Sequence, residues 1–173
     1  RPPRVDPVIE QAEVVMNERP RFGVVILTMG KRPDDLARGI ASVLDQVGVG
    51  VDVVVVGNGW EPTGLPPGVQ ALALPENVGI PAGRNAGVPH VEGDLLFFLD
   101  DDASLPDPHF LLSVGDRFAA DPQLGLIQPR VVDPTGLAAP RRWVPRLRVG
   151  DPYASSPATA LWEGAVAMRR SLF

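Results

Sequence analysis

Short β-branched runs alternate with helical signals along this chain, and this alternation constrains the fold more than any other sequence feature. The segments 22–28 (FGVVILT) and 51–56 (VDVVVV) are apolar almost throughout, which is typical of strands covered on both faces. Between them, apolar residues recur at helical spacing from Leu36 to Val47 and predict one buried helix face. Strands that alternate with helices indicate an α/β domain with a mainly parallel central sheet flanked by helices.

The rest of the chain continues this pattern. We predict strands at 69–74, 95–99, 124–128 and 165–168, and helices at 82–88 and 108–120. Ligands of such sheets bind beyond the carboxyl ends of the strands. We therefore expect the segments that follow three of the strands to meet in one cleft: 28–32, 57–60 and 100–102.

Composition excludes several classes of protein. The 173 residues fit one domain, and the absence of cysteine excludes disulfides, thiolate zinc sites and thiol nucleophiles. A net charge of −5 argues against a sequence-independent nucleic-acid binder, and no apolar run is long enough for a transmembrane segment.

We interpret 1–20 as a leader or peripheral segment and 21–173 as the domain. We expect the protein in the cytoplasm or peripheral to the inner face of a membrane.

Three consecutive aspartates, Asp100, Asp101 and Asp102, follow the apolar run 95–99 (LLFFL). Hard oxygen ligands at a strand end suit Mg²⁺ or Mn²⁺, usually with phosphate oxygens completing the shell. A solvated acidic turn that caps the next helix explains the same residues without a ligand. Their position directly after a core strand favours a metal ion that bridges the protein to a diphosphate.

A glycine-rich segment, 77–87 (NVGIPAGRNAG), precedes that strand and contains Arg84. Glycines permit close backbone approach, and a short helix starting near Ala82 offers free amides to an anion. Arg84 is suited to contact a pyrophosphate through two hydrogen bonds. A glycine-rich turn needs no ligand, so this interpretation depends on the neighbouring aspartates.

Five segments of this chain, in order, resemble the family 2 glycosyltransferases of GT-A fold: VVILTMGKRPDDLARGIASVLDQ, VDVVVVGNG, ENVGIPAGRNAGV, GDLLFFLDDDA and GAVAMRRSLF. They are most similar to the bacterial branch that uses UDP- or dTDP-linked sugars. The resemblance implies a Rossmann-like fold, a Mn²⁺ or Mg²⁺ ion and inverting transfer from a nucleotide-diphospho-sugar. The implied acceptor is a glycan, lipid-linked or small-molecule hydroxyl.

The resemblance also implies site residues. The donor side comprises Thr28, Gly30, Arg32, Asn58, Asn77, Gly79, Arg84, Asn85, Asp100 and Asp101. Asp102 matches the metal-binding aspartate, with Asp100 beside it. The acceptor side comprises Trp162, Glu163, Gly164, Ala165 and Arg169. We expect the catalytic base beyond Phe173, in a part of the domain that this chain lacks, and Glu163 is the nearby acid.

The chain departs from the family pattern in the loop after the second strand. Gly57 replaces an aspartate that commonly pairs with the donor base, and Trp60 replaces the usual serine. Trp60 either stacks on a base or packs on its neighbours.

Two alternatives to a transferase stay open. The first is a nucleotide-sugar-binding domain without catalysis. The second is a haloacid-dehalogenase-like phosphatase, because FFLDDDAS resembles that family's aspartate motif. That family also needs a downstream lysine, and no lysine follows Lys31.

Overall fold

A computed structural model of the protein describes residues 19–133, 155–158, 161 and 164–173. Within them, one sheet has the strand order β3-β2-β1-β4-β6-β5. Strands β1 to β4 run parallel, whereas β6 is antiparallel to β4 and β5, so the predicted mainly parallel sheet is confirmed. The bounds are β1 (Arg21–Thr28), β2 (Gly50–Asn58), β3 (Val69–Leu74), β4 (Leu95–Asp100), β5 (Leu126–Ile127) and β6 (Ala165–Arg169).

Three α-helices flank the described part of this sheet, and two short 3₁₀ turns follow α2 and β6. The helices are α1 (Pro33–Leu44), α2 (Ile80–Gly87) and α3 (Phe110–Ala120), and the turns are Val88–His90 and Arg170–Leu172. Proline begins α1 with its fixed φ angle, and Asp34 and Asp35 in the first turn complement the helix dipole. No helix of the described ranges is long and apolar enough to cross a bilayer.

The predicted helical face ending at Val47 is wrong at its last turn. Helix α1 ends at Leu44, and Val47 is 54% exposed. Gln46 turns inward instead: its side-chain amide donates to the Asp107 carbonyl (2.7 Å), and its oxygen accepts from the Leu111 amide (2.8 Å). The second bond supplies a partner to an amide in the first turn of α3, which helix geometry leaves unsatisfied.

Alternation along the strands sorts the core into two layers. One layer places Val24, Ile26, Phe97 and Leu99 with apolar residues of α1 and α3. The opposite layer includes Val25, Val54, Val56, Leu96 and Phe98. Because both faces are covered, these strands are apolar at successive positions, as predicted.

Several element boundaries differ from the predictions by a few residues. The strand predicted at 124–128 is only β5, and α2 begins at Ile80, before the predicted start at Ala82. Trp162, Glu163 and the predicted peripheral segment up to residue 18 lie outside the described residues.

Candidate functional site

The period of two along β4 separates the first two aspartates onto opposite faces of the sheet. Leu96 and Phe98 belong to the layer on the α2 side, and Asp100 continues that register. Leu95, Phe97 and Leu99 belong to the layer on the α1 side, and Asp101 follows them. Strand geometry therefore assigns different neighbours to consecutive carboxylates.

Asp101 joins the ends of β1 and β4. The Thr28 hydroxyl donates to its Oδ2 at 2.6 Å, and Nη2 of Arg32 lies 2.9 Å from its Oδ1. The Gly30 amide donates to the Thr28 hydroxyl oxygen at 2.9 Å. Asp101 is only 7% exposed, and this buried charge is both paired and hydrogen-bonded, as burial requires.

Asp102 lies further out and also contacts Arg32. Its Oδ2 accepts from Nη1 of Arg32, while 44% of its side chain remains exposed. Arg32 immediately precedes Pro33, the first residue of α1, so the helix start fixes its backbone. One guanidinium therefore spans a buried and an exposed carboxylate.

Asp100 pairs with the second arginine of the site. Nη2 of Arg84 donates to its Oδ1 at 2.6 Å, and the Arg84 guanidinium lies over the Phe98 ring, 5.8 Å from its centre. Partial burial raises the pKa of Asp100. The neighbouring charges of Asp102 and Asp101 raise this pKa further, whereas the Arg84 guanidinium lowers it. A cation near Asp100 would oppose this rise by favouring the charged carboxylate.

Two glycines one helical turn apart bring Arg84 close to the sheet. A β-carbon added at Gly83 would lie 2.6 Å from Cδ1 of Leu27, and one at Gly87 would lie 2.6 Å from Cγ1 of Val25. From the sequence, the glycines of this segment were expected to permit close approach of a ligand. At these two positions, glycine instead permits close packing of α2 on β1 and β2.

Asn58 and Asn77 form a network below the glycine-rich turn. Asn58, 5% exposed, accepts from the Val78 amide at 2.8 Å and donates to Oδ1 of Asn77 at 2.8 Å. Asn77 Oδ1 also accepts from the Gly79 amide at 2.9 Å. Gly79 has a φ of +83°, which favours glycine. Their predicted donor contacts stay predictions, and in this structure both asparagines hold the turn.

Trp60 packs on its neighbours in this structure, and its stacking on a donor base stays a prediction. It lies against the core layer on the α1 side, and its ring approaches Gly30 so closely that a β-carbon there would be 2.3 Å from Cε2. Gly30 has a φ of +70°, so the backbone conformation and this contact both require glycine.

The same loop closes over Gly57. A β-carbon at this position would lie 1.9 Å from the Trp60 carbonyl oxygen and 2.7 Å from Cδ of Pro62. Glycine at this position is therefore required by the loop, and an aspartate would not fit without moving it.

We expect Gly57→Ala to lower the free energy of unfolding by about 2 kcal/mol, because the methyl group must displace backbone. Urea denaturation measures the change. Gly50→Ala, at the other end of β2, is the control, since its β-carbon meets only the flexible Arg21 side chain at 3.2 Å. Equal stability of the two variants would contradict the packing argument.

The antiparallel direction of β6 separates the predicted acceptor-side residues. Ala165 pairs with Leu99, and the Gly164 carbonyl accepts from the Asp100 amide at 3.1 Å, so both lie at the aspartate edge. Arg169 pairs with Leu95 at the opposite edge. It donates to the Leu124, Phe118 and Asp121 carbonyls near the end of α3, away from Gly164 and Ala165, and its predicted acceptor-side role stays a prediction.

Asn85 lies on the exposed side of α2, next to Arg84. Its predicted role as a structural asparagine beside the donor stays a prediction. Asn58, by contrast, has the buried, bonded position that such a role describes.

The donor set of the aspartate turn fits a divalent cation that takes part of its shell from a ligand. Among the residues that the structure describes, no three acidic or histidine side chains converge as a closed metal cage. The side chains of Asp102 and Asp100 are 44% and 40% exposed, whereas Asp101 is buried and is occupied by Thr28 and Arg32. Few carboxylates with open coordination positions are typical of Mg²⁺ sites that bind phosphates.

Sequence reasoning missed three contacts of this site. It did not predict the Thr28–Asp101 bond, the two-carboxylate contact of Arg32 or the Phe98 ring below Arg84. For Thr28 the sequence did contain a signal, because this polar residue lies at the end of an otherwise apolar strand. The arginine contacts had no local signal, because each joins segments distant in sequence.

Comparisons with known proteins identify a family that this chain matches and structures of similar fold. The model of the family described as glycosyl transferase family 2 matches residues 24–173. No match was found among curated protein sequences.

Two solved structures share this fold. The structure of S. aureus TarS 1-349 has a TM-score of 0.66 at 16% identity, covering 88% of this chain and 48% of that chain. Mannosyltransferase PcManGT from Pyrobaculum calidifontis, in complex with GDP-Man and Mn²⁺, has a TM-score of 0.61 at 17% identity, covering 96% and 52%. This chain thus spans about half the length of each. The likeness confirms the predicted Rossmann-like GT-A fold.

Proposed function

This chain belongs to glycosyl transferase family 2, and we propose that it binds the nucleotide-diphospho-sugar donor of an inverting, metal-assisted glycosyltransferase. The observation that carries the proposal is the meeting of Arg32, Arg84 and the three aspartates at the carboxyl edge of the sheet. This edge is where α/β sheets bind ligands. Guanidinium groups there suit the oxygens of a diphosphate.

The charges at this edge support a requirement for a cation. Three carboxylates against the guanidiniums of Arg32 and Arg84 leave a formal excess of negative charge. A nucleoside diphosphate adds more. Asp102, with Asp100, would hold Mn²⁺ or Mg²⁺, which when bound stabilises negative charge on the diphosphate.

The proposed reaction is a direct displacement. The acceptor oxygen attacks the anomeric carbon on the face opposite the diphosphate, and the bond from that carbon to the diphosphate oxygen breaks with its electron pair. Arg84 and Arg32 stabilise the charge that develops on the leaving group. The acceptor hydroxyl gives its proton to a carboxylate, for which the candidates are Glu163 or a residue beyond Phe173.

The acceptor is proposed to approach over Gly164 and Ala165. Their small size and their position next to Asp100 leave room beside the donor. A glycan, a lipid-linked glycan or a small molecule with a free hydroxyl meets this requirement.

Nucleotide binding in the presence of Mn²⁺ tests the proposal. In thermal unfolding with UDP, dTDP or GDP, we expect at least one nucleotide at about 100 times its Kd to stabilise the protein by about 2.7 kcal/mol. For a chain of this size, that is a rise in Tm of about 5–10 °C. GDP is included because the mannosyltransferase above was solved with GDP-Man.

Asp102→Asn should lose the part of the shift that depends on Mn²⁺, because an amide is a weaker ligand than a carboxylate. The matched control is Asp116→Asn on the exposed side of α3, which should respond as wild type does. No shift with any nucleotide, or an undiminished shift in Asp102→Asn, would overturn the assignment.

Donor turnover separates a transferase from the alternatives. Release of free nucleoside diphosphate from a nucleotide-sugar supports catalysis, whereas binding without release supports a nucleotide-sugar-binding domain. The phosphatase alternative would make Asp100 a nucleophile, yet its Oδ1 is paired with Arg84. Hydrolysis of a simple phosphate monoester by this protein would support the phosphatase alternative.

A further inference from the structure

Arg32 holds two carboxylates that differ in how firmly they retain it. Asp101 is buried and is fixed from its other side by the Thr28 hydroxyl, so the carboxylate of its ion pair with Nη2 of Arg32 (2.9 Å) is shielded from water. Asp102 is partly exposed, so its contact with Nη1 competes with water and dissolved ions. The guanidinium therefore has one firm attachment and one exchangeable attachment.

The exchangeable carboxylate is also the one best placed to ligate a cation. A divalent cation that approaches Asp102 meets the positive charge of Arg32 on the same carboxylate. Both cations cannot be held there without strong mutual repulsion. Binding of the cation thus favours departure of Nη1 from Asp102 while Nη2 stays on Asp101.

We propose, on the basis of the proposed function, that Arg32 is a positioning residue that makes cation binding depend on the donor diphosphate. Without nucleotide, Arg32 occupies Asp102 and opposes the cation. With nucleotide, Nη1 pivots from Asp102 to a diphosphate oxygen, so the cation takes the carboxylate without leaving the guanidinium unpaired. Cation and diphosphate then strengthen each other's binding, and this coupling is reciprocal.

The test measures Mn²⁺ affinity by electron paramagnetic resonance of free Mn²⁺, for the whole chain, with and without the nucleoside diphosphate that binds best. In wild type we expect the nucleotide to tighten Mn²⁺ binding by about tenfold or more. Arg32→Gln keeps a hydrogen-bond donor for Asp101 but removes the competing charge. It should bind Mn²⁺ alone about fivefold more tightly than wild type and show a smaller effect of nucleotide.

Two further variants separate competition from a merely structural role. Arg38→Gln removes an arginine of α1 that pairs with Asp35, and it should match wild type in both titrations. Arg32→Lys keeps the charge at one contact and should bind Mn²⁺ alone more weakly than Arg32→Gln does. If Arg32→Gln fails to fold, Arg32→Met decides in the same titration, because it also removes the positive charge, and competition then predicts tighter binding of Mn²⁺ alone than in wild type.

The outcomes distinguish this inference from the proposed function. If Mn²⁺ alone binds Arg32→Gln no more tightly than wild type, Arg32 only supports the turn and the inference is wrong, even where nucleotide binding depends on Mn²⁺. If no nucleotide binds wild type, the proposed function fails. The comparison with Mn²⁺ alone still reports on competition at Asp102 in that case.

Discussion

Gly87→Val is expected to lower the free energy of unfolding by about 3 kcal/mol, because two added methyl groups enter a filled layer of the core. A β-carbon alone would lie 2.6 Å from Cγ1 of Val25 and 2.8 Å from Cγ2 of Val56, both fully buried. Gly87 has ordinary helical angles, φ −74° and ψ −31°, so contact and not backbone conformation requires glycine. Thermal unfolding should show a decrease in Tm of about 6–12 °C.

Ala82→Val is the matched control for this prediction. It places a β-branched side chain on the exposed side of α2, so only the small loss of helix propensity applies. Gly87→Val should also weaken nucleotide binding, since α2 must move away from the sheet and take Arg84 with it. A Gly87→Val protein as stable as Ala82→Val would show that α2 does not pack as described.

Arg170→Ala is expected to lower the free energy of unfolding by about 3 kcal/mol, because each lost hydrogen bond from a charged group contributes about 1.5–3 kcal/mol and the effects overlap. Its guanidinium donates to the carbonyls of Gly93 (2.6 Å), Val91 (2.7 Å) and Val88 (3.3 Å). Val88 and Val91 are buried, so water does not readily replace the lost donor. Urea denaturation with unchanged m-value measures the loss.

Arg21→Ala gives the comparison for Arg170. Arg21 contacts the same turn through an exposed ion pair with Glu92 at 3.5 Å, and such pairs contribute about 0–1 kcal/mol. Arg170→Lys should fall between the two, because one ammonium cannot reach three carbonyls in the plane of a guanidinium. If Arg170→Ala costs no more than Arg21→Ala, the carbonyl contacts do not stabilise the fold.

Arg169 and Arg170 show what a sequence motif can locate in a fold and what it cannot. The resemblance included Arg169-Arg170 and implied an acceptor-side position for Arg169. The segment is indeed a strand of the sheet, but its antiparallel register reverses the end at which Arg169 lies. Strand direction depends on how a segment pairs with a distant neighbour, so no local pattern in 165–170 reveals it.

The residues predicted for the donor side were easier to place in the fold, because they follow strand ends. Thr28 and the aspartate turn come directly after apolar runs, and the carboxyl ends of parallel strands share one edge of a sheet. Asn58 and Gly57 lie at that edge too. Their local contacts were not predictable, because the 58–62 loop folds back over Gly57 and Asn58 bonds the Val78 amide and Asn77.

The sequence by itself determined the strands, the helices and the aspartates at the end of β4, because periodicity and strand composition are local properties of the chain. Only the tertiary structure decided which arginine meets which aspartate. Arg32 and Asp102 are 70 residues apart, and Arg84 reaches Asp100 because glycines let α2 lie close to the sheet. Such contacts depend on register, strand direction and packing distance, which arise only when the whole core assembles.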